Sequence, residues 1–274
     1  GTTFENTNPV NLSGADAQLI MQGGVLSRLN TESTNLGVNV DNHSTISHLS
    51  LDHLTPVQIA SGASLSGNVT VNSGGTLKIT DNGTLASDLT MAGGTLDVDE
   101  SLAISGTLTP SGDFTVDVAA GKTLRYDNYE LRIGNYELAF KGEGTFAFAD
   151  NVSALVLDDV QSLLRLDSPG TLEAVRVTVA SSAGRGLAIN ASGTISKLEV
   201  LADSELHIAS GNTLSGTVEV ADNATLKLGG GGTLGGDLAL RGVLEASGSP
   251  TVSGTITPLD NATLSIPDAG TTLT

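Results

Sequence analysis

The chain reads Ser-Leu-Ser-Gly-Asn-Val-Thr-Val over residues 64–71 and Thr-Leu-Ala-Ser-Asp-Leu-Thr-Met over residues 84–91. The apolar residues of the two runs align at a step of about 20 residues. The run Gly-Gly-Thr-Leu that begins at Gly74 returns at Gly93, a step of about 19 residues. Self-similarity at one fixed, short step is typical of a protein built from stacked repeats.

The C-terminal part of the chain carries its own repeat. Residues 222–226 and 260–264 both read Asp-Asn-Ala-Thr-Leu. A series of leucines recurs there at steps of about 20, 18 and 20 residues: Leu206, Leu226, Leu244 and Leu264. The series predicts that these four leucines occupy equivalent positions in successive coils.

Apolar and polar residues alternate within each repeat, as in residues 77–79 (Leu-Lys-Ile) and 96–98 (Leu-Asp-Val). This alternation indicates a strand with one buried face. The Asn-Gly and Gly-Gly pairs between the runs favour tight turns. The sequence therefore predicts an all-β fold, a single-stranded parallel β-helix (β-solenoid) with coils of about 20 residues. A two-sheet sandwich is the rival fold, but its strands would not repeat at one fixed step.

We expect one solenoid over residues 1–274, with regular coils over 1–121 and 168–274. Over residues 122–167 the period blurs, and six of the eight aromatic residues fall there: Tyr126, Tyr129, Tyr136, Phe140, Phe146 and Phe148. One interpretation is a surface patch, because exposed Tyr and Arg are good contact residues. The candidate binding residues are Tyr126, Tyr129, Arg132 and Tyr136. The alternative, which we favour, is an irregular coil whose interior needs larger side chains.

Composition excludes several classes of protein. The 274 residues include 12 Lys and Arg against 30 Asp and Glu, a formal charge of −18, and no Cys. A disulfide framework and a Cys-based zinc site are therefore impossible. The excess of carboxylates disfavours nucleic-acid binding. No stretch approaches the roughly 20 apolar residues that span a bilayer, so we expect no direct insertion into a membrane.

The sequence offers no catalytic or metal-ligating constellation. The histidines at 43, 48 and 53 could suggest a metal site, but we expect them at turns and on an outward strand face. The pair Asp158-Asp159 has no second acidic pair one coil away, so we expect a turn there. The Gly121-Lys122-Thr123 run lacks the earlier glycine and the following helix of a phosphate-binding loop. We predict no enzymatic activity, no metal and no cofactor.

A family resemblance follows from the runs Val-Asn-Ser-Gly-Gly-Thr-Leu over residues 71–77 and Met-Ala-Gly-Gly-Thr-Leu over residues 91–96. They resemble repeats of self-associating and adhesive autotransporter passenger domains, and are similar to haemagglutinin-type β-helical adhesins. The resemblance covers about residues 23–116 and 186–273, and it is compositional and periodic. It implies a right-handed parallel β-helix displayed on Gram-negative cells that binds host surfaces or other copies of itself.

These observations predict a secreted structural or adhesive β-solenoid at the bacterial cell surface, without catalysis. Its expected partners are other copies of the chain, end to end or side by side, or a host or cell-surface protein or glycan. One alternative is a subunit of an extracellular filament or surface layer stacked head to tail, because residues 269–274 look like the middle of another coil. A second alternative is a glycan-processing β-helix enzyme.

Overall fold

The computed structural model describes residues 3–4, 10–12, 16–31, 35, 37–150 and 152–266. These described residues form 33 strands and no helix. The chain divides into two compact units: unit 1 holds residues 1–129 and 144–149, and unit 2 holds residues 130–143 and 150–274. Every boundary between the units falls inside the aromatic-rich segment 122–167. The expectation of one continuous solenoid stays a prediction.

The strands of unit 1 are β1 (Thr3–Phe4), β2 (Val10–Leu12), β3 (Gln18–Met21), β4 (Gly24–Thr31), β5 (Gly37–Val40), β6 (Ser44–Leu51), β7 (Leu54–Ile59), β8 (Ser64–Asn72), β9 (Thr76–Ile79), β10 (Thr84–Leu85), β11 (Asp88–Ala92), β12 (Thr95–Val98), β13 (Leu102–Ile104), β14 (Leu108–Pro110), β15 (Phe114–Val118), β16 (Thr123–Tyr126) and β19 (Thr145–Phe148).

The strands of unit 2 are β17 (Glu130–Arg132), β18 (Glu137–Gly142), β20 (Ala154–Leu157), β21 (Leu163–Leu166), β22 (Thr171–Val177), β23 (Gly186–Ile189), β24 (Gly193–Val200), β25 (Ser204–Ile208), β26 (Thr213–Val220), β27 (Thr225–Gly230), β28 (Thr233–Leu234), β29 (Leu238–Leu240), β30 (Val243–Ala246), β31 (Thr251–Val252), β32 (Ile256–Pro258) and β33 (Thr263–Ser265).

Each unit is a parallel β-solenoid, which confirms the predicted fold class. The chain alternates between two parallel sheets, which we call sheet A and sheet B. In unit 1, sheet B contains β3, β5, β7, β9, β12 and β15, each paired with the next. In unit 2, sheet B contains β18, β21, β23, β25, β27, β30 and β33. The remaining strands of each unit belong to sheet A.

The register of the strands matches the alignment made from the sequence. In unit 1, Val69 pairs with Leu89 and Val71 with Met91, each about one coil apart. All four side chains are buried. Because side chains alternate in a strand, one in-register step keeps every aliphatic residue on the inner face. The apolar core of each unit is therefore a set of aliphatic columns that follow the stacking direction.

One predicted alignment in unit 2 is wrong by two residues. Leu226, Leu244 and Leu264 do lie in register. Leu206 pairs with Leu228, however, and the partner of Leu226 is Ser204. Ser204 is buried at the inward start of its strand, so it fills the position that a leucine takes in the next coil. A shift of two residues keeps the inner face inward, which is why the alternation alone could not detect it.

In three successive coils of unit 2, a glycine lies where sheet A bends. In unit 2 the bend of successive coils falls at Gly216, Gly236 and Gly254. A Cβ on Gly236 would overlap the carbonyl oxygen of Gly216, and one on Gly254 would overlap that of Gly236. Gly216 also has a φ of 108°, a conformation that residues with a side chain rarely adopt. The close stacking of these bends therefore excludes any side chain larger than hydrogen.

Candidate binding surfaces

A column of hydroxyl groups runs across sheet A of unit 1. Ser50 pairs with Thr70, Thr70 with Thr90, and Thr90 with Thr109, on four successive coils. The first three residues are half-buried and Thr109 is exposed. We call these four residues the hydroxyl column. Neighbouring strands lie about 4.8 Å apart, so the column presents one donor and acceptor group at each regular step.

A second polar column flanks the first on the same face. His48 pairs with Asn68, and Asn68 with Asp88. The carboxylate of Asp88 accepts hydrogen bonds from the backbone N–H and the hydroxyl of Thr107, at 2.9 and 2.7 Å. These two hydrogen bonds lower the pKa of Asp88. This face of unit 1 therefore combines neutral hydroxyls and an amide with a fixed negative charge.

Sheet B of unit 1 carries a comparable threonine column made of Thr76, Thr95 and Thr115. Beside it, the ammonium group of Lys78 lies 2.9 Å from Asp97 and 2.8 Å from Asp99. Burial opposes the charge on Lys78, but the hydrogen bonds to Asp99 and Asp97 outweigh it and raise the pKa of Lys78. On this face the threonines lie beside the ion pairs that Lys78 forms with Asp97 and Asp99.

The predicted aromatic patch loses one of its members, because Tyr126 lies in the core. Its side chain is only 2% exposed. The Tyr126 hydroxyl accepts a hydrogen bond from the backbone N–H of Leu108 at 3.1 Å. Its ring meets that of Phe148 edge to face at 6.4 Å, and Phe146 stacks on Phe148 at 5.3 Å. For these rings the structure supports the alternative interpretation, an interior that needs larger side chains.

The other three candidate residues occupy different settings. Tyr129 of unit 1 is 61% exposed. In unit 2, Tyr136 is half-buried at the last position of a turn that Ile133 opens. Arg132 of unit 2 is exposed, and it forms ion pairs with Glu130 at 2.6 Å and with Asp158 at 3.2 Å. The guanidinium group of Arg132 is therefore already engaged by two carboxylates.

These contacts belong to a larger charge network on the outer face of sheet A in unit 2. Arg176 bridges Glu130 at 3.1 Å and Glu199 at 2.7 Å, and Lys197 also pairs with Glu199. We call Glu130, Arg132, Asp158, Arg176, Lys197 and Glu199 the charge network. Its members come from three strands and one corner, so spacing along the chain offers no signal for it beyond the in-register pair Arg176–Glu199.

The residues considered for metal binding or catalysis are dispersed. His48 faces outward between buried Ile46 and Leu49, and His43 hydrogen-bonds to Ser64 at 2.8 Å. Asp159 opens a turn closed by Ser162, as the sequence predicted for the acidic pair. Among the residues that the structure describes, no group of three or more His, Asp or Glu side chains is placed to hold a metal ion.

The fold and these surfaces define a class, the parallel β-solenoid with polar outer faces. No family model matches the chain, and neither a curated protein nor a solved structure matches it. The resemblance to autotransporter passenger domains and haemagglutinin-type adhesins therefore stays a prediction. The described residues contain no helical segment that could span a membrane.

Proposed function

We propose that this protein is a structural, adhesive β-solenoid of the bacterial cell surface that acts by contact and without catalysis. The observation that carries the proposal is the hydroxyl column of unit 1, in which Ser50, Thr70, Thr90 and Thr109 repeat in register. An adhesive surface of this kind needs many equivalent polar groups at a fixed spacing, so that weak contacts add together.

The chemistry of the column suits association with a second copy of the chain. Each hydroxyl can both donate and accept a hydrogen bond. Three of the four residues are threonines, whose branched side chains lose little rotamer freedom when a partner immobilises them. If two copies bring their hydroxyl columns together, the hydroxyl groups of one copy recur at the same interval as those of the other. The flanking Asn68 adds a carboxamide whose Nδ2 already donates to Ser47 O at 3.0 Å and whose Oδ1 can accept a hydrogen bond.

Charge works against such contacts at low ionic strength, since every copy carries a formal charge of −18. Salt screens this repulsion over about 10 Å at 0.1 M. Hydrogen bonds between neutral hydroxyls lose less to screening than ion pairs do. The proposed contact is therefore stronger at physiological ionic strength than at low salt.

The test removes the hydroxyls without changing the shape of the face. The triple variant Thr70→Val, Thr90→Val and Thr109→Val keeps β-branched side chains of the same size. Its matched control, Thr76→Val, Thr95→Val and Thr115→Val, alters the same number of threonines on sheet B of unit 1. Aggregation of cells that display the chain, and sedimentation of the purified chain, measure the contact.

We expect the sheet A variant to abolish cell aggregation and to weaken self-association at least about tenfold, since each lost hydrogen bond contributes about 0.5–1.5 kcal/mol. The sheet B control should aggregate as the unaltered chain does. Equal aggregation by both variants would contradict the proposal. End-to-end fibres that neither variant affects would favour the filament alternative, and release of reducing sugars from a polysaccharide would favour the enzyme.

A further inference from the structure

Three successive corners of unit 2 differ in length and leave a notch. The corner between β26 and β27 has four residues, 221–224, and so has the corner between β32 and β33, residues 259–262. The corner between them in the stack joins β29 to β30 with only Arg241 and Gly242. Because the coils stack in register, the two long corners project on either side of the short one.

Gly242 holds the short corner close beneath its neighbour. A Cβ on Gly242 would overlap the carbonyl oxygen of Ala224. The backbone N–H of Val243 donates to that same oxygen at 2.9 Å, and the N–H of Thr263 donates to Gly242 O at 3.0 Å. The base of the notch is therefore fixed by backbone hydrogen bonds to the corners on both sides.

The notch is open to solvent and has a volume of about 750 Å³, and its lining residues are Asp222, Asn223, Arg241, Gly242, Val243, Asp260 and Asn261. Its two walls are the two copies of the Asp-Asn-Ala-Thr-Leu run, and Arg241 lies between them. The guanidinium group of Arg241 makes one long ion pair, 3.8 Å to Asp260. A guanidinium carries five N–H donors, and an ion pair of 3.8 Å is longer than a hydrogen bond.

Backbone strain is concentrated at the same place. In the described part of the chain, the non-glycine residues with positive φ are Asn223 at 63° and Asp260 at 43°. Both line the notch. Side chains in this region of φ cost free energy and cluster at functional sites.

The charges and polar groups that line the notch restrict the kind of ligand that it can bind. Among the described residues, the acidic side chains of the notch form no group of three or more that could hold a metal ion, and Arg241 between Asp222 and Asp260 repels cations. Two carboxylates disfavour an anion, and a lining made mostly of charged and polar residues disfavours a hydrophobic ligand. Sugar hydroxyls can donate to the carboxylates and accept from the guanidinium and carboxamides.

We propose that this notch is a binding subsite for a neutral saccharide unit. Its volume lies within the range of small-molecule sites, about 300–1,000 Å³. Binding is weak, with a Kd of about 1 mM, because no aromatic ring lines the notch for the sugar to stack on. The proposal does not rest on adhesion through the hydroxyl column, since the notch lies on corners of unit 2.

The experiment is saturation-transfer NMR on the full chain with glucose, galactose, mannose and N-acetylglucosamine as separate probes, and with calcium chloride and N-acetyl-lysine methylamide as competing classes. The test variants are R241A and the pair D222A/D260A. The matched controls are R185A, at a turn of unit 2 outside the notch, and D81A, which precedes another exposed asparagine in a corner of unit 1. Circular dichroism checks that each variant keeps its strands.

We expect at least one of the four sugars to bind, and R241A and D222A/D260A each to weaken that binding about tenfold or more while R185A and D81A leave it unchanged. The proposal is overturned if no sugar binds the unaltered chain, if the notch variants bind as well as the controls, or if calcium or the lysine derivative binds and the sugars do not. Cell aggregation of the notch variants stays normal if the two proposals are independent, so failure of one is distinguished from failure of the other.

Discussion

Tyr126 shows how a single polar atom is accommodated in the aliphatic core of unit 1. Its hydroxyl accepts from the N–H of Leu108, a backbone group that is itself buried. We expect Tyr126→Phe to lower the free energy of unfolding by about 1–3 kcal/mol, because the variant leaves that donor unsatisfied. Urea denaturation measures the change.

Tyr129→Phe is the matched control, since its ring is exposed. It should change the free energy of unfolding by less than about 0.5 kcal/mol. Equal stability of the two variants would show that the Tyr126 hydroxyl does not stabilise the coil, and would contradict the interior placement of this ring.

Glu199 gives the charge network a predictable pH dependence. Burial opposes its charge, but hydrogen bonds from Lys197 and Arg176 outweigh burial and lower the pKa of Glu199. A carboxylate with a lowered pKa stabilises the fold above its unfolded pKa of about 4.3 and loses that contribution as the pH falls through the folded pKa. We expect Glu199→Gln to cost about 1 kcal/mol at pH 7.

The difference between the unaltered chain and this variant should shrink as the pH falls below about 4. Urea unfolding across the pH range measures it. Glu219→Gln is the control, because Glu219 is the exposed in-register neighbour of Glu199. A penalty for Glu199→Gln that is the same at pH 7 and at acid pH would contradict the network.

At the scale of the strand and its bend, glycine spacing sets how closely the coils stack. Gly236→Ala would place a Cβ against the Gly216 carbonyl, so we expect a loss of at least about 2 kcal/mol in the free energy of unfolding. Gly231→Ala is the control. Gly231 is exposed, and a Cβ there would come no closer than 3.5 Å to Ser210. Thermal and urea unfolding compare the two variants. If Gly236→Ala were as stable as the unaltered chain, the close stacking of the glycine bends would be contradicted.

The sequence predicts best which residues of each strand face the core. Alternation in runs such as 69–71 and 77–79 requires one buried face, and a fixed step requires equivalent faces to align. The register that pairs Val69 with Leu89 therefore follows from the amino-acid pattern alone. The alignment of Leu206 with Leu226 failed because a buried serine can replace a leucine at a strand start without breaking alternation.

The candidate surfaces were less predictable, because they depend on side chains far apart in sequence. Glu130 and Arg176 meet across three strands of sheet A, and no local spacing encodes that contact. For Tyr126 the sequence left two interpretations, a surface patch and the favoured irregular coil with a larger interior, because tyrosine has both an apolar body and a polar tip. The structure places its ring inside, in register with buried Ile104 and Phe148. The notch arises from a difference in corner length, which depends on where each strand ends.

For the molecule as a whole, net charge controls association. With a formal charge of −18, copies repel one another over about 30 Å at 0.01 M salt but only about 8 Å at 0.15 M. We expect self-association, measured by sedimentation velocity, to increase as sodium chloride rises between these concentrations. An association that weakened with added salt would point to ion pairs between copies and would contradict contact through neutral hydroxyls.

In-register stacking of the coils underlies the surfaces and both proposals, and paired cysteines test it directly because the chain has none of its own. Thr70 and Thr90 are Cα partners on adjacent strands, within the reach of a disulfide. The variant Thr70→Cys/Thr90→Cys should form an intramolecular disulfide on mild oxidation, detected by mass spectrometry. Thr84 instead pairs with Ser64, about 20 Å along the strand from Thr70, so Thr70→Cys/Thr84→Cys should stay reduced. Equal cross-linking of the two variants, or none in the first, would contradict the stacked register.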